Sequence, residues 1–244
     1  MAQKPAKIRL YVKDRLQPGT QIETGREQAH YLGNVMRCRP GDHVLLFNGL
    51  DGEWEAAISA LGKRSATLEL LATTRPQTEP PDLWLCFAPV KKARTDFIAE
   101  KACEMGCRRL LPVLTRYTNS ERVRTDRLAA LGVEAAEQCG ILSVPEVADP
   151  VSLERLLDAW PLNRRLMFCD ESGDAGPAAS ELAAAGPGPW AVLIGPEGGF
   201  APEERDRLRV LDMAVPVSLG PRILRADTAA VAALSVWQAV LGDW

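Results

Sequence analysis

Two glycine-containing loops beside charged side chains hold the chemistry-bearing residues of this 244-residue chain. Gly195-Pro196-Glu197-Gly198-Gly199-Phe200 follows an apolar run that ends at Ile194. A second loop, Leu219-Gly220-Pro221-Arg222-Ile223-Leu224-Arg225, closes another apolar run about twenty residues on. Glycine permits backbone conformations and close ligand approach that a Cβ blocks, so two such loops side by side can surround a flat ligand with backbone groups. The carboxylates of Glu171 and Glu197 can meet the polar or cationic parts of that ligand. The first loop lacks the Lys-Ser/Thr of a P-loop, and its glycines do not have the spacing of a dinucleotide fingerprint. The competing interpretation is structural only: glycines serving a tight strand-to-helix turn.

The flanking elements set where these loops lie. Residues 190–194 form a short continuous apolar run, as expected of a strand buried on both faces of a parallel sheet. A helix is predicted after the loop. Pro202 suits its first position, Glu203 and Glu204 complement its positive end, and Leu208 and Leu211 give it an apolar side. Residues 215–219 read as another buried strand. The last helix, 228–241, is apolar almost all round, which predicts burial in a core or a subunit interface. Ligands in such sheets sit at the carboxyl ends of strands, where both loops are expected.

Ile-Gly-Pro-Glu-Gly-Gly-Phe at 194–200, paired with Leu-Gly-Pro-Arg-Ile-Leu-Arg-Ala-Asp-Thr-Ala at 219–229, resembles the bacterial family that methylates a uridine of 16S ribosomal RNA at its ring N3, the RsmE family. His30-Tyr31-Leu32-x-x-Val35-Met36-Arg37 and Glu134-Ala135-Ala136-Glu137-Gln138 are similar to it as well. The resemblance implies an α/β fold of the SPOUT type, a parallel sheet with a C-terminal trefoil knot, preceded by a small PUA-like β-barrel. Only the resemblance points to a knot. It further implies S-adenosyl-L-methionine (SAM) as cofactor, 16S ribosomal RNA or the small ribosomal subunit as partner, and a homodimer. The implied cofactor residues are Glu171, Ile194, Gly195, Pro196, Gly198, Gly199, Leu219, Gly220, Ile223, Leu224 and Thr228, with residues 169–172 as a third wall.

The implied reaction is displacement at a sulfonium methyl, whose main demand is placement of the acceptor nitrogen. Uracil N3 is a poor nucleophile until its proton leaves, so a base, or a cation that stabilises charge spreading onto the flanking carbonyls, is expected. Arg222 and Arg225 are the candidate cations and Glu197 the candidate base. Each has a plain alternative: Arg222 pairing with a phosphate or a partner subunit, Arg225 anchoring its loop, Glu197 capping the following helix. On the RNA side, Arg9, Arg26, Arg37, Lys91, Lys92, Arg116 and Arg122 are candidate contacts. Lys4, Lys7, Lys13, Arg15, Arg39, Arg94 and Arg124 add to the same basic segments. The family pattern is broken in three places: Cys139-Gly140-Ile141 where Ser-Gly-Arg is usual, Asp227 where Glu is usual, and Ala201 where a hydroxyl residue usually caps the helix. The lost cap costs about 1 kcal/mol if nothing replaces it. The rivals are a SPOUT enzyme acting on a ribose hydroxyl or another base, and a non-catalytic RNA-binding assembly factor.

Net charge is -3, yet residues 1–127 hold 21 Lys+Arg against 15 Asp+Glu while residues 128–244 hold 8 against 17. That basic front half is compatible with a polyanionic partner, as it is with an unevenly charged solvated surface. Six cysteines at 38, 86, 103, 107, 139 and 169 form no paired framework, and the two histidines lack metal-ligand spacing, so core thiols in a reducing compartment and no metal are expected. The N-terminus lacks a signal-type apolar core and no run approaches membrane-spanning length, which predicts a cytoplasmic protein.

In chain order, residues 8–12 read as a strand and 26–37 as a helix. Strands are predicted at 43–47, 53–60 and 65–71, turned by Asn48-Gly49, Asp51-Gly52 and Gly62-Lys63-Arg64. This small-barrel pattern gives an RNA-binding domain over 1–72. The proline-rich stretch 73–82 reads as a linker and 83–244 as the methyltransferase domain. There, strands at 83–88, 110–114 and 166–169 alternate with helices at 95–105, 126–139 and 153–160, the signature of a parallel sheet. Phe97, Ile98, Ala102 and Met105 are placed on the apolar side of the first helix, and Gly106 at its end. Residues 173–189 hold at most one short helix.

Overall fold

A computed structural model describes residues 8–119, 122–171 and 174–244. Lys4, Lys7, Ser120, Glu121, Ser172 and Gly173 lie outside the described residues. The chain divides into two compact units, Met1–Glu79 with Ala136–Ser143, and Pro80–Ala135 with Val144–Trp244.

The first unit contains β1 (Arg9–Tyr11), β2 (Gln21–Thr24), α1 (Arg26–His30), a π-helical turn (Tyr31–Val35), β3 (His43–Phe47), β4 (Glu53–Leu61) and β5 (Ala66–Arg75). The strands run in the order β1-β3-β4-β5-β2, with β1 parallel to β3 and the remaining pairs antiparallel. Alternation with period two turns Val44 and Leu46, Ala56 and Ile58, and Ala66, Leu68 and Leu70 into one core with Leu10, Ile22 and Leu32. Asn48 makes the first turn, its Oδ1 accepting the N–H groups of Leu50 (2.9 Å) and Asp51 (2.8 Å).

Three features of this unit differ from expectation. The helix over 26–37 changes to π geometry at Tyr31, because Gly33-Asn34 weakens an α-helix, and it ends at Arg37 with φ +56. Strand β2 escapes the hydrophobic pattern because Ile22 is its only apolar residue. Strand β5 continues through Arg75, so Thr73, Thr74 and Arg75 are strand rather than linker.

The second unit contains β6 (Leu83–Phe87), α2 (Lys92–Glu104), β7 (Arg109–Leu114), α3 (Thr125–Cys139, whose residues from Ala136 on belong to the first unit), β8 (Glu146–Val147), β9 (Val151–Ser152), α4 (Leu153–Asp158), β10 (Arg165–Cys169), α5 (Ala178–Ala185), β11 (Trp190–Ile194), α6 (Pro202–Arg209), β12 (Ala214–Val217) and α7 (Ala226–Leu241). Its sheet is parallel throughout, in the order β12-β10-β11-β6-β7-β8, with β9 also paired to β7.

Both faces of this sheet are covered, which explains the apolar runs. Leu83, Leu85, Phe87, Met167 and Val192 pack under α2, α5 and α7. Cys86, Leu111, Phe168 and Leu193 pack under α4 and α6. Every residue of β11 is buried. Helix α7 buries Ala226, Ala230, Ala233, Leu234, Trp237 and Gln238, one stripe at helical spacing, while its other side is half-buried. Phe97 does not join the core. Ile98, Ala99 and Ala102 take that face of α2, leaving Phe97 39% exposed beneath Lys101. All six cysteines are free thiols. Among the described residues, no helix is long and apolar enough to cross a membrane, and no cluster of three or more His, Cys, Asp or Glu residues could hold a metal ion.

Candidate functional site: a cleft at the ends of three adjacent strands

Strands β10, β11 and β12 lie side by side, and the chain leaves each at its carboxyl end. The three departing loops and the start of α7 enclose a cleft of about 590 Å³. Cys169, Asp170 and Glu171 form one wall. Ile194 to Glu197 with Gly199 form the second, and Leu219 to Ala226 the third.

Ion pairs, one on a buried carboxylate and one partly exposed, hold the first wall. The Asp170 side chain is fully buried and accepts from Arg209 Nη2 at 2.7 Å and Nε at 3.0 Å, tying β10 to α6. Glu171 Oε1 accepts from Arg205 Nη2 at 2.9 Å and from the Phe200 N–H at 3.3 Å, so this carboxylate also braces the second wall. Burial, and then the Glu171 charge, push the Cys169 thiol up to about 12, which keeps it protonated and unsuited to nucleophilic attack.

The glycines divide by role. At Gly195 a Cβ would stand 2.7 Å from Phe200 Cε2, and the Phe200 ring packs edge-on against Phe168 at 5.3 Å, so Gly195 lets the loop fold back over its own aromatic anchor. Gly199 has φ +71 and a Cβ there would overlap Glu171 Oε1. Gly220 has φ +106 with nothing within 4 Å of a Cβ position, leaving bare backbone beside open space. Gly198 faces Tyr117, whose Cβ lies 3.3 Å from the Cβ position, and stands outside the cleft lining, as does the exposed Thr228. The structure therefore brings nine of the eleven expected cofactor residues together and leaves Gly198 and Thr228 out.

The charged candidates also separate. Arg222 and Arg225 line the cleft, exposed, and neither side chain has a hydrogen bond or ion pair among the described residues. Glu197 lines it too and is bound by Arg94 Nη1, so it does not cap α6. That capping falls to Glu204, whose Oε2 accepts the Ala201 N–H at 3.0 Å and whose Oε1 accepts the Arg116 N–H at 2.8 Å. Sequence reasoning counted Arg94 among RNA-facing cations. It stands instead in the cleft wall, a placement that only the tertiary fold reveals.

Of the seven RNA candidates, Arg9 is a correction. Its side chain is 9% exposed and is bound by Glu53 Oε2 at 2.8 Å and by the carbonyls of Ala136 (2.5 Å) and Ile141 (2.9 Å), over the Phe47 ring at 4.5 Å. It holds residues 136–143 to the first unit and has no face left for a phosphate. Arg26, Arg37, Lys91, Lys92, Arg116 and Arg122 are exposed.

The family model for an RNA methyltransferase domain matches residues 77–238, and that for an RNA methyltransferase PUA domain matches residues 24–71. The chain belongs to the RNA methyltransferase family. Within this family, ribosomal RNA small subunit methyltransferase E of Synechocystis is 31% identical over 88% of this chain and 71% of its own length. The Rickettsia conorii relative of the same name is 28% identical over 93% of both chains. Among solved structures, a Legionella pneumophila methyltransferase in complex with SAM matches with a TM-score of 0.87 at 30% identity, over 97% of this chain and 99% of its own. Ribosomal RNA small subunit methyltransferase E of Neisseria gonorrhoeae, bound to SAM, matches with a TM-score of 0.87 at 27% identity over the same shares. These methyltransferases share both units of the present fold, a PUA-like domain and a SPOUT-like parallel-sheet domain.

Proposed function

We propose that this protein uses SAM to methylate N3 of a uridine in 16S ribosomal RNA of the small ribosomal subunit. The observation that carries this is the three-walled cleft at the ends of β10, β11 and β12, in a chain that follows SAM-bound methyltransferases along nearly its whole length.

The cleft suits that cofactor. Its volume lies within the range of small-molecule sites, and Gly220 offers backbone with no side chain in the way. Backbone groups of residues 194–196 and 219–224 would hold the flat adenine, with Glu171 near the cationic parts. SAM supplies an activated methyl group whose leaving group is already good. The chain's own work is placement and charge. Arg222 and Arg225, without side-chain partners among the described residues, would donate to the carbonyl oxygens beside N3 as negative charge spreads onto them, and Glu197 would accept the N3 proton.

For the RNA, we assign binding to residues 1–72, whose last strand runs on to Arg75, joined through 76–82 to a methyltransferase domain at 83–244. Arg26 and Arg37 in the first part and Lys91, Lys92, Arg116 and Arg122 in the second are exposed cations suited to phosphates. We infer a homodimer, with the side of α7 that its own core leaves half-exposed, Val231 and Val236 among it, as the candidate contact. A trefoil knot, in which α7 follows the loop after β12, and a cytoplasmic location complete the reading.

The test is transfer of labelled methyl from SAM. Incorporation into small-subunit ribosomal RNA, and none into transfer RNA, is the expected result. Transfer RNA as the sole acceptor would overturn the assignment.

A further inference from the structure

Arg94 is the cation of the cleft that already has partners. Its Nη1 pairs with Glu197 on the loop after β11, and its Nε lies 3.8 Å from Asp227 Oδ2 in the first turn of α7. One guanidinium on α2 thus stands between carboxylates on two of the other elements around the cleft. The Glu197 side chain is 48% exposed, so without Arg94 nothing among the described residues fixes its direction.

We propose that Arg94 is the positioning residue for the acceptor base: it holds the Glu197 carboxylate where that group meets the N3–H of uracil. The inference rests on the function assigned above and deepens it. The pairing edge of uracil reads acceptor, donor, acceptor. A complementary wall needs an acceptor between donors, and Glu197 held by Arg94, with Arg225, unpaired among the described residues, on the facing loop, supplies those groups. The N3 proton passes to Glu197 and its electron pair stays on N3. Cytosine has no proton at N3, so the same wall discriminates against it.

The 3.8 Å separation from Asp227 is long for an ion pair, and one more methylene would close it. Asp227→Glu should therefore tighten the bridge. Arg94→Ala should release it, and a misplacement of about 1 Å costs roughly 100-fold in rate.

The experiment uses the full chain with three readouts: SAM affinity by calorimetry, kcat and KM for small-subunit RNA, and amide hydrogen exchange of residues 195–201. Arg94→Ala is expected to bind SAM within about threefold of the parent, to lose roughly 100-fold in kcat with little change in KM, and to exchange faster at 195–201. Arg94→Lys should recover part of the rate, since an ammonium keeps the charge without the fork, and Asp227→Glu should slow the exchange. An unchanged kcat, a SAM affinity that falls in step with the rate, or unchanged exchange in Arg94→Ala each overturns the positioning role. If the parent modified no small-subunit RNA, the assigned function would fall by itself, while the exchange measurement would still decide the bridge.

Discussion

Gly199→Ala separates backbone strain from ligand contact in the cleft. Gly199 has φ +71, a conformation that costs an L-residue about 1–2 kcal/mol. The new Cβ would also overlap Glu171 Oε1. That carboxylate must then turn away from the Phe200 N–H at 3.3 Å and Arg205 at 2.9 Å, a partly exposed pair of interactions worth about 1 kcal/mol together. The total is about 2–3 kcal/mol. If the free loop keeps its native shape, the whole cost appears in stability, which for a chain of this size lowers Tm by roughly 4–12 °C. If the free loop relaxes to another conformation, the cost is charged to binding instead, and SAM affinity falls by about 30-fold to 140-fold. Calorimetric unfolding and SAM titration of the same variant measure both shares, which should sum to the same total. A variant with unchanged Tm and unchanged affinity would refute both the strain and the Glu171 contact.

Arg225→Lys should leave SAM binding near normal and slow methyl transfer by about 100-fold to 1000-fold, as expected when a charge-stabilising donor loses its fork geometry; single-turnover rates and cofactor titrations on one preparation check it. Burial alone would raise the Glu53 carboxyl, but hydrogen bonds from Arg75, Arg9 and Thr74 outweigh it and hold the group below the usual carboxylate range. Its contribution is therefore present above the unfolded value of about 4.3 and lost as pH falls through the folded one. The stability gap between the parent and Glu53→Gln should narrow steadily in thermal melts taken from pH 6 towards pH 3, and a gap independent of pH would contradict the ion-pair account. Among the cysteines, exposed Cys139 should react first with a maleimide, while Cys86, which burial raises to about 12, stays unmodified until unfolding; mass mapping after brief labelling decides it.

Much of the second unit was legible because its strands are buried on both faces and so appear as unbroken apolar runs. Strand β11 matches residue for residue, and Pro202 does begin α6. What was hidden depends on partners distant in sequence. Arg9 looks like any surface cation until the carbonyls of Ala136 and Ile141, more than 120 residues away, close around it. Arg94 stood in a basic run beside Lys91 and Lys92, and its tie to Glu197 spans 103 residues. Strands β8 and β9 have two residues each, too few for any period to show. The glycine motif concealed a division of labour: Gly195 accommodates Phe200 and Gly198 faces Tyr117, whereas Gly220 opens onto the cleft. Residue type alone does not distinguish a glycine that makes room for a ring from one that makes room for a ligand.

The most direct test of the central claim is the identity of the methylated nucleoside. Small-subunit RNA incubated with the protein and methyl-labelled SAM, digested to nucleosides and separated with mass detection, should place the label in 3-methyluridine. Label in a ribose-methylated nucleoside, or on any other base atom, would contradict the account of a cleft in which Glu197 and Arg225 address the pairing edge of uracil.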